Sequence, residues 1–248
     1  MNNESSSKTA LITGGARRLG AEICRHLHQN GFNIIIHYRR SASDAEQLCA
    51  ELNQKRVDSA IAIATDLTDP EAVIELAETA ALVWNGLDVL VNNASSFYPT
   101  AMDQVTEQQW DELLTSNLKA PFFLAKALVP RLKQTQGCIV NLIDIHAERG
   151  LQGYPVYSIA KAGLAAMTKV LAKELAPEIR VNGVSPGAVL WPESGVSDAD
   201  KQEILSRILL RRPGQASDIA NAVAYLVQDA NYITGQIIVV DGGRTLHC

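Results

Sequence analysis

Seven short apolar runs alternate with longer segments of helical period, and this alternation constrains the fold more than any other feature. It is typical of a parallel sheet that helices cover on both faces. Because crossovers between parallel strands are right-handed, we predict a single α/β domain with a Rossmann-like, doubly wound, seven-stranded parallel sheet flanked by helices. The predicted strands are Thr9–Thr13, Asn33–His37, Ala60–Ala64, Asp88–Asn92, Gly137–Ile143, Arg180–Ser185 and Gln236–Val240.

No linker, repeat or low-complexity block divides the chain, so we predict one domain over residues 1–248, with a polar tail at 1–7. The least regular stretch is Pro186–Ser197, whose proline, glycine and serine content predicts a loop. We assign residues 186–206 to a substrate loop, with Trp191-Pro192 as a candidate cover for a cleft. The predicted helices are Leu19–Asn30, Ser43–Lys55, Pro70–Trp84, Glu107–Gln134, Pro155–Ala176 and Ser217–Val227.

Charge and cysteine usage exclude several classes of function. The net charge of -5 argues against a nucleic-acid partner. The four cysteines show neither a CxxC pair nor metal-ligand spacing with histidine, so we predict no metal site and a reducing compartment. The N-terminus lacks the apolar region of a signal peptide, and no apolar run is long enough to span a membrane. We therefore expect a cytoplasmic protein with no membrane partner.

The first predicted strand ends in TGGARRLG, residues 13–20, and a helix follows directly. Glycines let backbone N–H groups approach a phosphate, and the helix N-terminus contributes partial positive charge. The position of the turn between the first strand and the first helix favours a dinucleotide-binding turn. The alternative is a tight turn that needs glycine only for a positive φ.

HYRRS, residues 37–41, follows the second predicted strand and indicates which dinucleotide binds. NAD-binding proteins usually place Asp or Glu here for the ribose 2′-hydroxyl, and this segment has neither. Arg39, Arg40 and the hydroxyl of Ser41 suit a 2′-phosphate, because guanidinium groups form charge-assisted hydrogen bonds with it. We therefore predict NADPH as the cofactor; the alternative is a solvated basic turn.

NNASSFYPT, residues 92–100, brings small polar residues and then two aromatic rings to the end of the fourth predicted strand. A loop at the end of a buried strand is exposed, so aromatic rings there indicate a flat ligand that stacks on them. The alternative is that Phe97 is a loop aromatic folded onto the core.

The motifs together resemble the short-chain dehydrogenase/reductase family over essentially the whole chain. Each motif alone is modest evidence, whereas their joint order and spacing are specific. The resemblance implies a nicotinamide-dependent oxidoreductase. The motifs are TGGARRLG at 13–20, Asp66-Leu67 after the third strand, NNAS at 92–95, Asn117, the YxxxK pair Tyr157 and Lys161, SPG at 185–187, RRPGQASDIA at 211–220 and TGQIIVVDGG at 234–243.

Two departures from the family pattern narrow the resemblance. Arg18 stands where the usual turn has its third glycine, and Asp144 stands where the usual catalytic serine precedes Tyr157 by thirteen residues. Both departures, with HYRRS and NNASSFYPT, resemble the pteridine reductases of the family. That resemblance implies that the flat ligand is a pterin ring, stacked between Phe97 and the nicotinamide.

Tyr157 is the candidate acid. An unperturbed phenol has a pKa of about 10, so it needs help to exchange protons near neutrality. Lys161 lies at i+4 on the same helical face, and we expect its ammonium to lower the phenol pKa. The resemblance implies that Lys161 also holds the nicotinamide ribose and that Asn117 supports a water beside it. The alternative is an ordinary exposed Tyr-Lys pair.

Asp144 cannot replace a serine that donates to a substrate carbonyl, because an ionised carboxylate only accepts hydrogen bonds. An ionised Asp144 accepts a hydrogen bond from a ring N–H, an amino group or Tyr157. The alternative, in a site without water, is that the Asp144 carboxyl group is protonated. Our hypothesis is that Asp144 and Tyr157 form a coupled proton-delivery pair for a ring nitrogen. The alternative is a loop or capping aspartate.

The remaining assignments combine the residue patterns with what the resemblance implies. The catalytic set is Asp144, Tyr157, Lys161 and Asn117. The substrate contacts are Arg18, Ser95, Phe97, Asp144 and Tyr157. The cofactor contacts are Gly14, Arg17, Arg18, Leu19, His37, Tyr38, Arg39, Arg40, Ser41, Asp66, Leu67, Asn93, Ala94, Ser95, Tyr157, Lys161, Pro186 and Gly187.

The sequence thus predicts NADPH-dependent reduction of a dihydropterin, with dihydrofolate as a secondary substrate. The first alternative is a carbonyl reductase acting on a 3-oxoacyl thioester, against which Asp144 argues. The second is a non-catalytic NADPH-binding protein, against which the intact Tyr157, Lys161 and Asn117 argue. The resemblance implies a homotetramer, although the apolar positions of Glu107–Gln134 are equally explained by packing on the sheet.

Overall fold

A single sheet of seven parallel strands forms the centre of the computed structural model, which describes residues 7–189 and 197–246. The strand order is β3-β2-β1-β4-β5-β6-β7, so the predicted doubly wound fold is confirmed. Each predicted strand agrees with the observed one to within one residue at either end. The strands are β1 Thr9–Ile12, β2 Asn33–Tyr38, β3 Ala60–Ala64, β4 Val89–Asn92, β5 Cys138–Leu142, β6 Arg180–Pro186 and β7 Ile237–Val240.

Helices connect successive strands and cover both faces of the sheet. Within the described ranges, no helix is both long and apolar enough to cross a membrane. The helices are α1 Arg18–Gln29, α2 Ala42–Lys55, α3 Pro70–Leu82, α4 Glu107–Leu114, α5 Ala120–Gln134, α6 His146–Arg149, α7 Pro155–Leu175, α8 Asp198–Ser206 and α9 Ala216–Gln228.

Side chains that alternate along the central strands build one core on each face of the sheet. Ile34 and Ile36 of β2 belong to the core that includes residues of α1, α2 and α9. Ile35, between them, belongs to the opposite core with residues of α3, α5 and α7. All three isoleucines have no exposed surface, which explains why the parallel strands are apolar throughout rather than alternating.

The structure differs from the predicted elements in two places. The segment Glu107–Gln134 is not one α-helix, because a π-helical turn at Thr115–Lys119 separates α4 from α5. The end of the predicted substrate loop is helical: α8 begins after Ser197, whose side chain accepts a 3.1 Å hydrogen bond from the backbone N–H of Asp200. Trp191 and Pro192 lie outside the described residues.

The sheet reverses its direction of winding beside β1, which lies between β2 and β4. In open parallel sheets, ligands bind at such a switch point, beyond the carboxyl ends of the strands. The TGGARRLG turn, the NNAS segment, Asp144 and the Pro186-Gly187 pair follow β1, β4, β5 and β6 at this edge. The fold therefore places the predicted motifs at one edge.

Candidate active site

Hydrogen bonds join the glycine turn to the segment that follows β4. Thr13 Oγ1 accepts from the backbone N–H groups of Asn93, at 2.9 Å, and Ala94, at 3.0 Å. The Asn93 amide returns the contact by donating to the carbonyl oxygens of Thr13 and Gly14. A Cβ at Gly20 would lie 2.2 Å from the Gly14 carbonyl oxygen, so the close approach requires glycine there.

Arg18 keeps a backbone conformation that suits glycine. Its φ is +51°, in the left-handed region, where a side chain costs energy and glycine does not. This is the position at which the usual family turn has its third glycine. The exposed Arg18 side chain is therefore presented from a strained backbone at the start of α1, as is common for residues at ligand sites.

His37 lies between the glycine turn and the end of β3. Its ring is 2% exposed. The Gly14 N–H donates to Nδ1 at 3.0 Å, so Nε2 carries the proton and donates to the carbonyl oxygen of Thr65, also at 3.0 Å. Burial lowers the pKa of His37 and favours this neutral form. The imidazole thus positions the turn, a role that the prediction of a cofactor contact did not include.

The basic residues predicted for the 2′-phosphate lie at the surface after β2. Arg39 pairs with Asp66, with Nε 3.5 Å from Oδ2. Arg17 similarly pairs with Asp44 at 3.3 Å. The backbone N–H of Thr68 is the largest cause of the lowered pKa of Asp66. These exposed guanidinium groups are available to an anion only in competition with nearby carboxylates.

Several predicted cofactor residues line one cavity of about 200 Å³ at the switch point. Other predicted residues lie elsewhere: Leu19 and Tyr38 pack against the core, and Arg40 is exposed. Ser41 precedes α2, and its side chain forms no capping hydrogen bond there. The predicted residues that line the cavity are Gly14, His37, Arg39, Asp66, Leu67, Ala94 and Ser95.

Tyr157 and Asp144 are directly paired. The buried Tyr157 hydroxyl donates to Asp144 Oδ2 at 2.8 Å. Burial, and then the negative charge of Asp144, raise the pKa of Tyr157 well above its ordinary value. The expected lowering by Lys161 is therefore wrong for this arrangement: its Nζ lies 5.8 Å from the Tyr157 ring centroid, and the other two effects dominate.

Lys161 is buried behind the tyrosine. Its Nζ donates to the carbonyl oxygen of Leu142 at 2.9 Å, and the residue is 3% exposed. Burial lowers its pKa to about 8, while the negative charge of Asp144 acts in the opposite direction. A lysine with this pKa exchanges protons near neutral pH.

Asn117 ties the π-helical turn to the loop after β4. Its buried amide donates to the carbonyl oxygens of Ser96 and Leu113, both at 3.0 Å. Its Oδ1 accepts from the hydroxyl of Ser95 at 2.6 Å. The side chain of Ser95 also lowers the pKa of Tyr157, against the larger effects of burial and Asp144. The observed hydrogen bonds of Asn117 thus hold the loop after β4, with Ser95 as one of its direct partners.

Phe97 forms an aromatic group with two tyrosines. Its ring stacks on Tyr154, with centroids 4.6 Å apart and planes inclined by 7°. Its centroid also lies 4.8 Å from that of the Tyr157 ring, and the two planes are inclined by 77°. Phe97 is 48% exposed, so a further flat ring has access to it. Sequence reasoning missed Tyr154; its position just before α7, one helical turn from Tyr157, was the available signal.

Pro186 and Gly187 close the far side of this edge. The Pro186 carbonyl oxygen accepts a 3.3 Å hydrogen bond from the backbone N–H of Ile145. Gly187 donates its backbone N–H to Val240, at 2.9 Å. A Cβ at Gly187 would lie 2.6 Å from the Cβ of Asp241, so this approach also requires glycine. These contacts hold the ends of β5, β6 and β7 together.

Comparisons with known proteins find relatives that match nearly the whole chain. A family model described as enoyl-(acyl carrier protein) reductase matches residues 14–245. Pteridine reductase 1 of Leishmania tarentolae is 36% identical over 99% of both chains. The 3-oxoacyl-(acyl-carrier-protein) reductase FabG of Staphylococcus aureus strain Mu50 is 39% identical over 96% of this chain and 98% of that protein. Overall identity therefore does not separate the two activities that these names state.

Proposed function

Since the chain belongs to the short-chain dehydrogenase/reductase family, we propose that it is an NADPH-dependent pteridine reductase. Family membership makes it an oxidoreductase with a nicotinamide cofactor. The observation that carries the substrate class is the hydrogen bond from Tyr157 to the carboxylate of Asp144. A ketone offers only an acceptor to this position, whereas a pterin ring offers N–H and amino donors that a carboxylate binds.

The residues at the switch point fit a phosphorylated dinucleotide. Helix α1 begins after Arg17, whose side chain does not cap it, so its N-terminal N–H groups suit a pyrophosphate. The basic pair Arg39 and Arg40 follows β2, where a 2′-phosphate is expected. When bound, the cofactor supplies the hydride for the reduction. These features support NADPH as the cofactor.

Proton handling is assigned to this chain's own side chains. Tyr157 is protonated at neutral pH because burial and Asp144 raise its pKa. It is therefore able to give its proton to a ring nitrogen, and the nearby negative charge of Asp144 orients the hydroxyl. Lys161, with a pKa of about 8, is the next proton source inward. The raised pKa keeps the proton on Tyr157 but makes the phenol a weaker acid, so transfer requires an acceptor nitrogen held within hydrogen-bond reach.

Phe97 supports a flat substrate in the same place. Tyr154 covers one face of its ring, and the centroid of the Tyr157 ring lies 4.8 Å from that of Phe97. A pterin that stacks on the accessible part of Phe97 therefore lies close to the hydroxyl that supplies its proton. We propose a 7,8-dihydropterin as the substrate and the tetrahydropterin as the product, with dihydrofolate as a second substrate because it carries the same ring.

The second candidate is a carbonyl reductase acting on a 3-oxoacyl thioester. The 39% identity to the staphylococcal enzyme favours it, and Asp144 opposes it. A test is NADPH oxidation by the purified protein with dihydrobiopterin, dihydrofolate and an acetoacetyl thioester. Turnover of the pterins alone supports the proposal. Turnover of the thioester alone refutes it.

The quaternary structure is proposed as a homotetramer in the cytoplasm. Trp110, Phe122 and Phe123 are each at least 41% exposed on α4 and α5, which supports association through this helical face. Sedimentation analysis at several protein concentrations tests the tetramer directly. A monomer at all concentrations contradicts it.

A further inference from the structure

A second cavity, of about 630 Å³, lies next to the candidate active site and contains three arginines. Its lining includes Arg149, Arg207, Arg244 and His146. Cavities of about 300–1,000 Å³ are large enough for small-molecule ligands. The arginines are far apart in the sequence, so the fold alone brings their guanidinium groups to one place.

Acidic side chains only partly balance this positive charge. Arg207 pairs with Glu203, with Nη2 2.5 Å from Oε1. Across residues 7–189 and 197–246, neither Arg149 nor Arg244 has a carboxylate oxygen within 4.0 Å. Arg149 donates one Nη1–H to the backbone carbonyl of Arg244 at 3.0 Å, which leaves most of its donors for another acceptor.

The cavity is in electrostatic contact with the catalytic carboxylate. Burial lowers the pKa of Arg244, and the positive charges of Arg149 and Arg207 lower it further. The negative charges of Asp144 and Asp241 act in the opposite direction, and the effect of Asp144 is the larger of the two. His146 lines the cavity while its backbone N–H donates to Asp144 Oδ1 at 2.8 Å. His146 therefore connects the lining of the cavity to Asp144.

The guanidinium groups of the cavity repel one another, and the carboxylates of the protein compensate their charge only in part. An anion bound in the cavity reduces this repulsion. Guanidinium groups bind phosphate and carboxylate oxygens by paired, charge-assisted hydrogen bonds. His146 lines the cavity and contacts Asp144, so a ligand whose ring lies against Asp144 is already attached beside the cavity. A free surface ion has no such attachment and gains less.

We propose that this cavity binds an anionic group, phosphate or carboxylate, that is carried by the side chain of the substrate. The ring of the same substrate occupies the active site. This inference rests on the proposed pterin reductase function and adds selectivity to it. The enzyme then prefers a dihydropterin with an anionic side chain over the same ring with a neutral one. The preference weakens as ionic strength rises, because salt screens exposed charges.

The test compares kcat/KM for 7,8-dihydroneopterin, its triphosphate and 7,8-dihydrofolate. For wild type we expect an anionic-to-neutral ratio of about tenfold or more, and for Arg149→Gln and Arg207→Gln a fall in that ratio of about tenfold. Arg211→Gln is the matched control, since Arg211 is an exposed arginine of the same region that does not line the cavity. Its ratio should equal that of wild type.

The two anionic substrates identify the source of the oxyanion. If the anionic-to-neutral ratio of kcat/KM falls in the variants for the triphosphate, the group that the cavity binds is a phosphate. If it falls for dihydrofolate, that group is a carboxylate. Ratios that are equal in wild type and both cavity variants overturn the inference while the pterin reductase function stands. Absence of turnover with all three pterins refutes the proposed function and the inference with it. NADPH affinity, measured for every variant, confirms that each protein is folded.

Discussion

The hydroxyl of Tyr157 lies 2.8 Å from Oδ2 of Asp144, and its hydrogen bond joins α7 to the segment after β5. The other carboxylate oxygen accepts the backbone N–H of His146, also at 2.8 Å. Both oxygens are therefore held, which fixes the orientation of the carboxylate. A serine at this position would donate a hydrogen bond, whereas this carboxylate accepts one from the tyrosine and, in the proposed function, also accepts from the substrate.

Replacement of Asp144 tests that pair. In Asp144→Ser we expect kcat/KM for dihydrobiopterin to fall about 100-fold, because positioned proton transfer contributes about 10²–10⁴-fold. In Asp144→Asn the charge that raises the pKa of Tyr157 is lost, so the alkaline limb of the pH profile should move to lower pH. Steady-state kinetics across pH measures both effects. Glu148→Gln is the control, since Glu148 is exposed in the same segment. Full pterin activity in Asp144→Ser contradicts the pair.

Truncation of Phe97 tests stacking. We expect Phe97→Ala to raise the KM for dihydropterins about tenfold, because stacked aromatic contacts contribute about 0.5–1.5 kcal/mol beyond the buried area. Phe97→Tyr keeps the ring and should remain close to wild type. The measurement is KM for dihydrobiopterin, with NADPH affinity determined alongside to exclude a general loss of structure. An unchanged KM in Phe97→Ala would show that the ring only packs on Tyr154.

The sheet and its order of motifs were predictable because they depend on local patterns. Buried parallel strands such as β2 are apolar on both faces, so their limits are visible in the sequence. The i+4 spacing of Tyr157 and Lys161 likewise fixes a shared helical face. The spacing did not indicate which effect dominates the pKa of the Tyr157 hydroxyl. Burial depends on the whole fold, and it reverses the direction expected for the pKa of Tyr157.

Contacts between distant segments were not predictable. The sequence gives no sign that His37 uses both ring nitrogens inside the protein, because its partners come from different strand ends. Nor does it show that Arg149, Arg207 and Arg244 line one cavity. Helix α8 was missed since its residues, DADKQEILS, lack a strong apolar stripe and follow a stretch of loop composition.

Removal of the basic pair after β2 tests cofactor choice. We expect Arg39→Ala with Arg40→Ala to reduce the ratio of kcat/KM for NADPH to that for NADH about 100-fold, because each guanidinium loses a charge-assisted contact with the 2′-phosphate. NADH lacks that phosphate, so its own kcat/KM serves as the internal control. Arg39 now pairs with Asp66 at 3.5 Å, which limits its share of the effect. If the variant keeps the wild-type ratio of kcat/KM for NADPH to that for NADH, Arg39 and Arg40 only form a solvated turn.

Replacement of His37 tests its support of the glycine turn. His37→Asn keeps an acceptor near Gly14 but loses the donor to Thr65, whereas His37→Phe loses both. A buried N–H left without a partner costs about 1–3 kcal/mol, so we expect His37→Phe to weaken NADPH binding at least about fivefold and His37→Asn less. Fluorescence titration with NADPH measures this order. Equal affinity in wild type and His37→Phe contradicts it.

The same histidine predicts a direction of pH dependence. Because burial lowers the pKa of His37 below 6.5 in the folded protein, its contribution to stability is complete above pH 6.5 and is lost as the pH falls. The difference in the free energy of unfolding between wild type and His37→Asn should therefore shrink between pH 7.5 and pH 5.5. Denaturant unfolding at both pH values measures it. Burial also lowers the pKa of His28, so we expect the same direction of pH dependence for His28→Asn, which is the matched comparison. A difference that grows as the pH falls would mean that His37 is charged in the folded protein.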